Sequence, residues 1–296
     1  ALGRVNPDTY DQDPLLEGLI AVLPFGLPAQ APAAGAAPRL RGQVPGIGPD
    51  DKVLLWGGGI WNWFDPLSPI RAVAALADEL PTLRLVFLGS SSPSLFTPKM
   101  AMAAKAKALA ADLGLLDRQV FFLPGWVPYA ERGAYLLEAD LGLSCHHPHV
   151  ETRFAFRTRL LDCIWAGLPM LLTQGDVLAE RLAALGLAQT VPPDDPAALA
   201  AALRRLLDRP RQDYAPAFTA LRSQLSWDAV AAPLAAFMRA TRRAADRPQP
   251  GAGAARLSPT RLRDLPARAL EILREGGPLQ LLEEGLRYLR WLRRPS

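Results

Sequence analysis

The sequence concentrates ionisable side chains in one short stretch, HHPHVETRFAFRTRLLD, which runs from residue 146 to residue 162. This stretch contains all three histidines of the chain, together with three arginines and two carboxylates. Side chains of these types can bind anions, hold a metal ion or transfer protons, and clusters of them are typical of functional sites. We therefore take this stretch as the first candidate for chemistry.

Arg157 and Arg159 stand at the beginning of a predicted helix that extends to Trp165. The N-terminus of a helix is the positive end of its dipole, and guanidinium groups add fixed hydrogen-bond donors beside it. Guanidinium groups also bind phosphate oxygens well, often through two hydrogen bonds at once. The spacing therefore predicts a phosphate or diphosphate site at this helix end.

The two carboxylates of the stretch each allow two interpretations. Asp162 follows Arg159 by three residues on a similar helix face, so it could accept hydrogen bonds from a ribose diol or pair with Arg159. Glu151 lies in the preceding loop, where it could bind sugar hydroxyls or pair with Arg153. Spacing alone leaves both choices open.

The histidines allow three interpretations. His146 and His149 are three residues apart and, with Glu151, could hold a metal ion. Such spacing is nonspecific in a loop, and no outlying acidic or cysteine cluster completes the set, so we expect no metal site. A histidine such as His149 could instead hydrogen-bond a sugar or a departing phosphate, or serve a purely structural role.

A regular alternation of elements, which begins at residue 52, must position these side chains. Six mostly uninterrupted apolar runs alternate with segments of helical spacing; the runs are KVLLWGG, LRLVFLG, QVFFLPG, DLGLSC, LPMLLT and AQTV. This pattern predicts an α/β fold, a Rossmann-like parallel sheet with helices on both faces. Ligands of such sheets bind beyond the carboxyl ends of the strands. We therefore expect residues 57–65, 89–96, 124–129 and the 146–162 stretch to line one crevice.

The first of these loops opens with three glycines, Gly57, Gly58 and Gly59. Glycines let the backbone approach a ligand closely and leave amide N–H groups free to face an anion, although a plain tight turn uses glycine too. The residues that follow, IWNWFD, supply two tryptophans and a phenylalanine. These rings either stack on a base or sugar or close the loop onto the core.

Composition divides the chain into three parts. Residues 1–51 comprise a short amphipathic piece and, from residue 29, a Pro/Ala/Gly linker that should bury little. Residues 52–243 form the predicted sheet domain, and residues 244–296 form a linker and a helical tail. The net charge of +4 is mild and does not argue for nucleic acid as a partner. Two isolated cysteines, Cys145 and Cys163, predict a reducing, cytoplasmic compartment.

The tail carries the basic excess of the chain, with ten arginines against five acidic residues between Arg247 and Ser296. From Pro278 onward, leucines recur at helical spacing and arginines crowd the end. Residues 278–294 therefore suit a helix that lies on an anionic membrane surface, which would make the protein peripheral on the inner face of the membrane. The alternative is a helix that packs on another domain.

Several of these segments together resemble one known family. Residues from about 20 to 240 resemble the C-terminal, nucleotide-sugar-binding domain of the GT-B glycosyltransferases of family 4, also called group 1. The resemblance rests on KVLLWGGG followed by a helix, on FFLPGWVPYAER, on ADLGLSC, and above all on RLLDCIWAGLPMLLT. The segment AVLPFGLP, residues 21–28, resembles the crossover from the N-terminal domain of that family.

The resemblance implies roles for particular residues. Asp162 takes the place of the acidic residue that holds the ribose, and Arg159 the place of a phosphate-binding lysine. Phe154 occupies the position of a glutamate that contacts the donor sugar, so Glu151, the nearest acid, becomes the candidate. Gly59 and Asp65 stand near the usual diphosphate-binding arginine and lysine of the first loop, so Arg153, Arg157 and Arg159 are inferred to replace that clamp. The residues implied beside the base are Trp126, Val127 and Pro128.

The resemblance also implies a reaction. It implies transfer of a sugar from a nucleoside-diphosphate sugar to an acceptor, with retention of anomeric configuration and no essential metal or other cofactor. The acceptor, a glycan or a lipid-linked acceptor, is of unknown identity. A second Rossmann-like domain is expected upstream, because GT-B enzymes place the site between two domains. The alternative is a non-catalytic nucleotide- or sugar-binding module that kept the fold and lost the transfer activity.

Overall fold

The computed structural model describes residues 7–17, 19–33, 35, 37–89, 100–241 and part of the tail, namely 266, 269–270, 272–274, 277–279, 281–283 and 285–286. The chain forms two compact units. One comprises residues 12–240, and the other comprises residues 1–11 together with 241–296. We describe each unit separately.

The larger unit is built on a six-stranded, entirely parallel sheet, as predicted. Its strands are β1 (Lys52–Trp56), β2 (Leu83–Phe87), β3 (Val120–Phe122), β4 (Leu141–Ser144), β5 (Met170–Thr173) and β6 (Ala188–Val191). The strand order is β3-β2-β1-β4-β5-β6, so the direction of winding reverses between β1 and β4. In a sheet of this kind, such a reversal opens a crevice at the carboxyl ends of the strands.

Helices cover both faces of this sheet. The helices of the larger unit are α2 (Leu67–Ala75), α3 (Ala101–Asp112), α4 (Arg132–Glu138), α5 (Arg159–Ala166), α6 (Val177–Ala184), α7 (Pro196–Leu207), α8 (Ala215–Gln224) and α9 (Trp227–Arg239). Helix α1 (Pro7–Gln12) belongs almost entirely to the smaller unit. Short 3-10 helices span Val150–Phe154 and Arg211–Tyr214. Helix α8 is not evident from the sequence, because its buried residues are only Phe218 and Leu221 and its apolar periodicity is weak.

The central strands are buried almost completely on both faces, which explains their continuous apolar runs. Helices α2, α3 and α7 contribute to one apolar cluster of the core, and helices α5, α6 and α8 contribute to a second. Trp56, at the end of β1, is fully buried and contacts Phe64 edge-on, with ring centroids 5.8 Å apart. The loop after β1 is thereby tied to the core at the point where the crevice begins.

The segment before β1 differs from the prediction that it buries little. Leu40 and Ile47 are 0% and 3% exposed and join an apolar cluster on the sheet. The Glu138 carboxylate, at the end of α4, accepts hydrogen bonds from the backbone N–H groups of residues 39–41. Proline and glycine composition predicted a linker, but two apolar side chains and one distant carboxylate dock the segment.

The region ahead of this segment also differs from expectation. Helix α1 ends at Gln12, and no helix continues through the apolar run that follows it in the described residues. Leu15 and Val22 in that run are 78% and 84% exposed, so these apolar side chains are not buried in the core of this unit.

In the smaller unit, every described residue between 266 and 286 is helical, as predicted for the tail. Leu279, Leu282 and Leu286 are exposed there. Residues 287–294 of the predicted membrane-binding segment lie outside the described residues. None of the helices in the described ranges combines the length and the apolar character that a membrane span requires.

Arg211 joins the C-terminal ends of helices α4 and α5. Its guanidinium donates to the carbonyls of Leu136, Leu137 and Ala139 at the end of α4, and to those of Ala166 and Gly167 at the end of α5. Carbonyls at a helix C-terminus have no partner within the helix, and a cation there also complements the helix dipole. Arg211 therefore fixes the C-terminal end of α5.

We expect Arg211→Met to lower the free energy of unfolding by roughly 2–4 kcal/mol, because several largely buried carbonyls lose their donor while the apolar stem is kept. Urea denaturation measures this change. The control is Arg204→Met, which removes an exposed ion pair with Glu79 and should cost less. Equal losses from the two substitutions would contradict the capping role of Arg211.

Candidate functional site

A cleft of about 590 Å³ lies at the carboxyl ends of the strands, where the winding reverses. It is lined by parts of all four predicted loops, and of residues 89–96 only Gly89 is described. The predicted site residues that line the cleft are Gly57, Gly58, Trp126, Val127, Glu151, Arg157, Arg159 and Asp162. The sequence prediction of one shared crevice is therefore confirmed for the described part of these loops.

One wall of the cleft comes from the segment that resembles a domain crossover. Leu27 pairs with Ser226 in an isolated parallel bridge, and the Trp227 N–H donates to the Leu27 carbonyl. This pairing places Phe25 and Trp227 in the cleft lining. The sequence analysis did not select these two aromatic residues, because only the fold brings the two segments together.

The N-terminus of α5 opens into the cleft without a side-chain cap. Thr158 occupies the N-cap position and makes no capping hydrogen bond, and both Thr158 and Leu160 line the cleft. The N-termini of α6, α7 and α9 are capped by Asp176, Asp195 and Ser226, whereas α3, α4 and α8 lack a side-chain cap as α5 does. The Leu160 and Leu161 N–H groups donate to the carbonyls of Arg157 and Thr158, so the attraction of this end of α5 for an anion comes from the positive end of the helix dipole.

Arg159 presents a half-buried positive charge at the same helix end, with its Nη1 atom fully buried. Its guanidinium donates one hydrogen bond, to the Gly59 carbonyl, and its Nη1 has no partner among the described residues. The guanidinium carbon lies 4.0 Å from the ring centroid of Phe64 and 5.5 Å from that of Trp56. Burial, and then the neighbouring charge of Arg157, lower the pKa of Arg159 to about 10. No carboxylate in the described part of the chain forms an ion pair with it.

Arg157 differs from Arg159 because acidic groups surround it. Its Nη2 donates to the Glu151 carboxylate at 3.2 Å, and its Nε lies 3.5 Å from the buried Asp176 carboxylate. Asp176 is itself fixed as the N-cap of α6, where it accepts from two backbone N–H groups. Burial is the main cause that raises the pKa of Asp176. The side chain of Arg157 is therefore held in place before any ligand arrives.

Two glycines of the first loop, Gly58 and Gly59, lie beside the Arg159 guanidinium. Gly58 has a φ of +100°, which an L side chain rarely adopts, and a Cβ at this position would lie 4.0 Å from the Arg159 Nη2. Gly59 turns its carbonyl, not its N–H, toward the same guanidinium. Gly58 therefore allows the turn that brings the loop next to Arg159, and Gly59 provides a carbonyl acceptor for its guanidinium.

Asp162 accepts a hydrogen bond from Arg132 at 2.8 Å instead of pairing with Arg159. The Arg132 guanidinium lies between two aromatic rings, 3.3 Å from the Tyr129 centroid and 4.3 Å from the Trp165 centroid. Arg132 also lines the cleft, yet the sequence analysis missed it. It follows a prominent aromatic loop, but only the fold reveals its contact with a residue 30 positions later.

Five predicted site residues do not line the cleft: Gly59, Asp65, Pro128, His149 and Arg153. Asp65 is 1% exposed, and its Oδ1 accepts from the N–H groups of Leu67 and Ser68, so it caps the beginning of α2. His149 is exposed and accepts from the Glu151 N–H, and Arg153 is exposed on the same 3-10 helix. Glu151 therefore pairs with Arg157 and not with Arg153.

The histidines do not come together as the metal hypothesis required. His146 is 2% exposed, whereas His149 points into solvent, and His147 contacts Asp194 at 2.6 Å. Burial and the positive charge of Arg157 lower the pKa of His146 to about 4. His146 is therefore a neutral, buried neighbour of the arginines.

The tryptophans of the first loop stack on each other instead of lining the cleft. The Trp61 and Trp63 ring centroids are 5.2 Å apart and nearly parallel, while Phe64 turns into the core and reaches the cleft. Cys163 also lines the cleft, and burial raises the pKa of its thiol to about 12, so it is an inert apolar contact.

No protein-family model matches this chain, and no curated protein matches it. Solved structures do resemble it. WaaG, a glycosyltransferase involved in lipopolysaccharide biosynthesis, is 23% identical with a TM-score of 0.56, over 80% of this chain and 58% of WaaG. Sucrose-phosphate synthase from Thermosynechococcus elongatus is 19% identical with a TM-score of 0.55, over 77% of this chain and 56% of the synthase. HepE from Anabaena, solved in complex with UDP-glucose, is 15% identical with a TM-score of 0.53, over 65% of this chain and 50% of HepE.

These likenesses identify the fold. The larger unit has the Rossmann-like fold of one half of a GT-B glycosyltransferase, so the resemblance noted in the sequence is confirmed at the level of fold. The chain spans between 50% and 58% of the length of these three structures.

We expect the protein to lose stability as the pH falls from about 7 to about 5, partly through His146. The folded-state pKa of His146, about 4, lies below the ordinary value of 6.5, so in this window the unfolded chain binds a proton that the folded chain does not. The loss should be at most about 2 kcal/mol. The raised pKa of Asp176 acts in the opposite direction, because the folded state then takes up its proton more readily.

Urea denaturation of the wild-type chain and of His146→Gln across this pH range tests the expectation. The His146→Gln substitution should reduce the change of the free energy of unfolding with pH. His149→Ala, at an exposed histidine of the same stretch, should leave most of that change in place. An unchanged pH dependence in His146→Gln would show that His146 does not cause it.

Proposed function

We propose that this chain is the donor-binding part of a glycosyltransferase, which moves a sugar from a nucleoside-diphosphate sugar to an acceptor. The observation that carries the proposal is Arg159, a half-buried arginine whose Nη1 is buried without a partner and which has no carboxylate partner among the described residues, beside an uncapped helix N-terminus that opens into a cleft. Burying an unpaired charge is costly, so such a residue is expected where an anionic ligand completes the site. The fold supports the same conclusion.

The donor diphosphate is the ligand that best fits this end of the cleft. When the glycosidic bond breaks, the departing diphosphate gains negative charge, and donors that are already in position stabilise that charge without reorganisation. Arg159 is such a donor at the positive end of the α5 dipole, and Arg157 is held beside it by Asp176. We assign the two arginines and this helix end to the leaving diphosphate.

The nucleoside and the sugar would lie on either side of the diphosphate. We assign Asp162 to the ribose hydroxyls, with Arg132 as its fixed neighbour, and Trp126, Val127 and Tyr129 to the base. Glu151, which accepts a hydrogen bond from Arg157, is the candidate for the donor sugar. HepE of Anabaena was solved with UDP-glucose, which agrees with a nucleotide sugar as the donor.

We further propose that transfer retains the anomeric configuration and requires no metal or other cofactor in the cleft, with Arg157 and Arg159 acting on the leaving group. The acceptor would attack from the side of the leaving group, and its identity is open. Because the chain spans little more than half of its structural neighbours, the acceptor-binding part would come from elsewhere in the enzyme.

One observation favours the alternative of a non-catalytic binding module. Phe154, at the position where the resemblance implies a sugar-binding glutamate, is 79% exposed, and Glu151 is engaged by Arg157. A module of this kind would bind the nucleotide sugar and leave its glycosidic bond intact. Slow release of free sugar from the bound donor separates the two functions, because only the enzyme promotes cleavage of that bond.

We also propose that the tail binds an anionic membrane surface and keeps the protein on the cytoplasmic side of the membrane. Leu279, Leu282 and Leu286 are exposed on helical residues of the smaller unit, and the sequence places four arginines among residues 287–294. Exposed leucines beside clustered arginines favour a surface that carries negative lipid headgroups.

The first test of the donor site is a calorimetric panel of UDP, GDP, ADP and their sugar conjugates against the wild-type chain and Arg159→Met. We expect the wild-type chain to prefer one base. Binding should weaken at least about a hundredfold in the variant, because Arg159 is the one described arginine of the cleft that has no carboxylate partner. We also expect Arg159→Met to raise the free energy of unfolding by about 1–2 kcal/mol, since an uncompensated buried charge is removed.

The control is Arg205→Met, at an exposed arginine of α7. This substitution should change neither the nucleotide affinity nor the free energy of unfolding. A destabilised Arg159→Met variant that binds nucleotides normally would instead assign Arg159 to the fold and overturn the proposal. Asp162→Asn adds a second check, because a ribose ligand predicts weaker nucleotide binding with little change in stability.

The membrane proposal is tested by sedimentation with phospholipid vesicles. We expect the chain to sediment with vesicles rich in anionic lipid, less so at high salt, and not with neutral vesicles. Leu282→Asp should reduce sedimentation several-fold, whereas Leu185→Asp, at an exposed leucine of the larger unit, should not. Equal binding to neutral and anionic vesicles would contradict the role of the arginines.

A further inference from the structure

We propose that Asp65, His147 and Asp194 form a binding site for a divalent transition-metal cation of the zinc class, outside the cleft. One ligand atom from each residue lies within 4.8 Å of those of the other two. None of the three residues lines the cleft, and none takes part in the proposed transfer reaction. The inference therefore stands independently of the proposed function.

The three residues come from three different loops at the carboxyl edge of the sheet. Asp65 precedes α2, His147 follows β4, and Asp194 lies between β6 and α7. They are far apart in sequence, so their meeting results from the fold and not from local spacing. The histidine is a different one from the pair considered above, since His146 and His149 point elsewhere.

Asp65 supplies an observation that does not depend on the cluster itself. Its side chain is 1% exposed, and its Oδ1 accepts two backbone N–H groups at the beginning of α2, which fix the carboxylate. Its Oδ2 is fully buried and has no hydrogen-bond partner in the described part of the chain. A buried carboxylate oxygen without a partner carries a desolvation cost, and a bound cation would remove that cost. We assign Oδ2 as the metal ligand.

His147 and Asp194 form the accessible side of this site. The His147 Nδ1 and the Asp194 Oδ1 are 2.6 Å apart, and the two side chains are 38% and 50% exposed. A cation can therefore enter from solvent and keep water molecules as its remaining ligands. Without the cation, the direct hydrogen bond satisfies these two side chains but leaves the buried oxygen of Asp65 unpaired.

The donor set determines which cation is favoured. One imidazole nitrogen with two carboxylates suits Zn²⁺, and Mn²⁺ less tightly, with a fourth position for water. Ca²⁺ takes six to eight oxygen ligands, and Mg²⁺ binds mainly carboxylates, phosphates and water, so neither uses the imidazole. In this position the cation would tie together the loops that follow β1, β4 and β6.

Calorimetric titration of the chelator-treated full chain with Zn²⁺, Mn²⁺, Mg²⁺ and Ca²⁺ tests the proposal. We expect one Zn²⁺ per chain, weaker binding of Mn²⁺, no heat with Ca²⁺, and a melting temperature that rises with Zn²⁺ concentration. Equal affinities for Zn²⁺, Mg²⁺ and Ca²⁺ would overturn the proposal, because they would exclude a histidine ligand.

Three substitutions assign the ligands without disturbing the fold. Asp65→Asn keeps an oxygen that can cap α2, and Asp194→Asn keeps a residue that tolerates the local φ of +57°. These two variants and His147→Ala should each bind Zn²⁺ at least tenfold more weakly, whereas His149→Ala should bind it as the wild type does. Unchanged Zn²⁺ binding in His147→Ala, or loss of binding in His149→Ala alone, would place the ion elsewhere and refute the site.

Discussion

The partial burial of one positive charge, that of Arg159, is the constraint on which the rest of the site depends. The guanidinium lies against the faces of Phe64 and Trp56 and donates to a single carbonyl. Aromatic faces attract a cation by about 1–2 kcal/mol, less than the several kcal/mol that its removal from water costs. The surrounding fold must therefore hold the Arg159 side chain where its charge is poorly solvated. Phe64 contributes to this, because it contacts the guanidinium and is itself packed on the buried Trp56.

The two ends of helix α5, which carries Arg159, are stabilised to different extents. At its C-terminus, Gly167 adopts a left-handed conformation with a φ of +64°, and Arg211 donates to the terminal carbonyls of Ala166 and Gly167. At its N-terminus no side chain caps the first turn, and Arg159 adds a further positive charge there. A cation at a C-terminus is favourable and one at an N-terminus is not, so the N-terminal arrangement gains stability only when an anion binds.

Much of the fold could be predicted from the sequence, because parallel strands buried on both faces appear as continuous apolar runs. Helix α8 was not predicted, because it buries few residues and its apolar pattern is weak. The burial of Leu40 and Ile47 was not predicted either, because the residues that they contact lie far away in sequence. In the site, the arginines and Asp162 were predicted from local spacing. Arg132 and Asp176 were missed because their contacts join separate elements.

Two arginines separated by one residue thus acquire different properties, and the cause lies on another helix. Asp176 caps α6 and faces Arg157, so one guanidinium is held beside a fixed carboxylate, while Arg159 has none among the described residues. A fully paired site would bind an anion weakly, and a site with two unpaired buried cations would be harder to fold. With one arginine paired and the other free, Arg157 is oriented in advance while the charge of Arg159 remains available to the ligand.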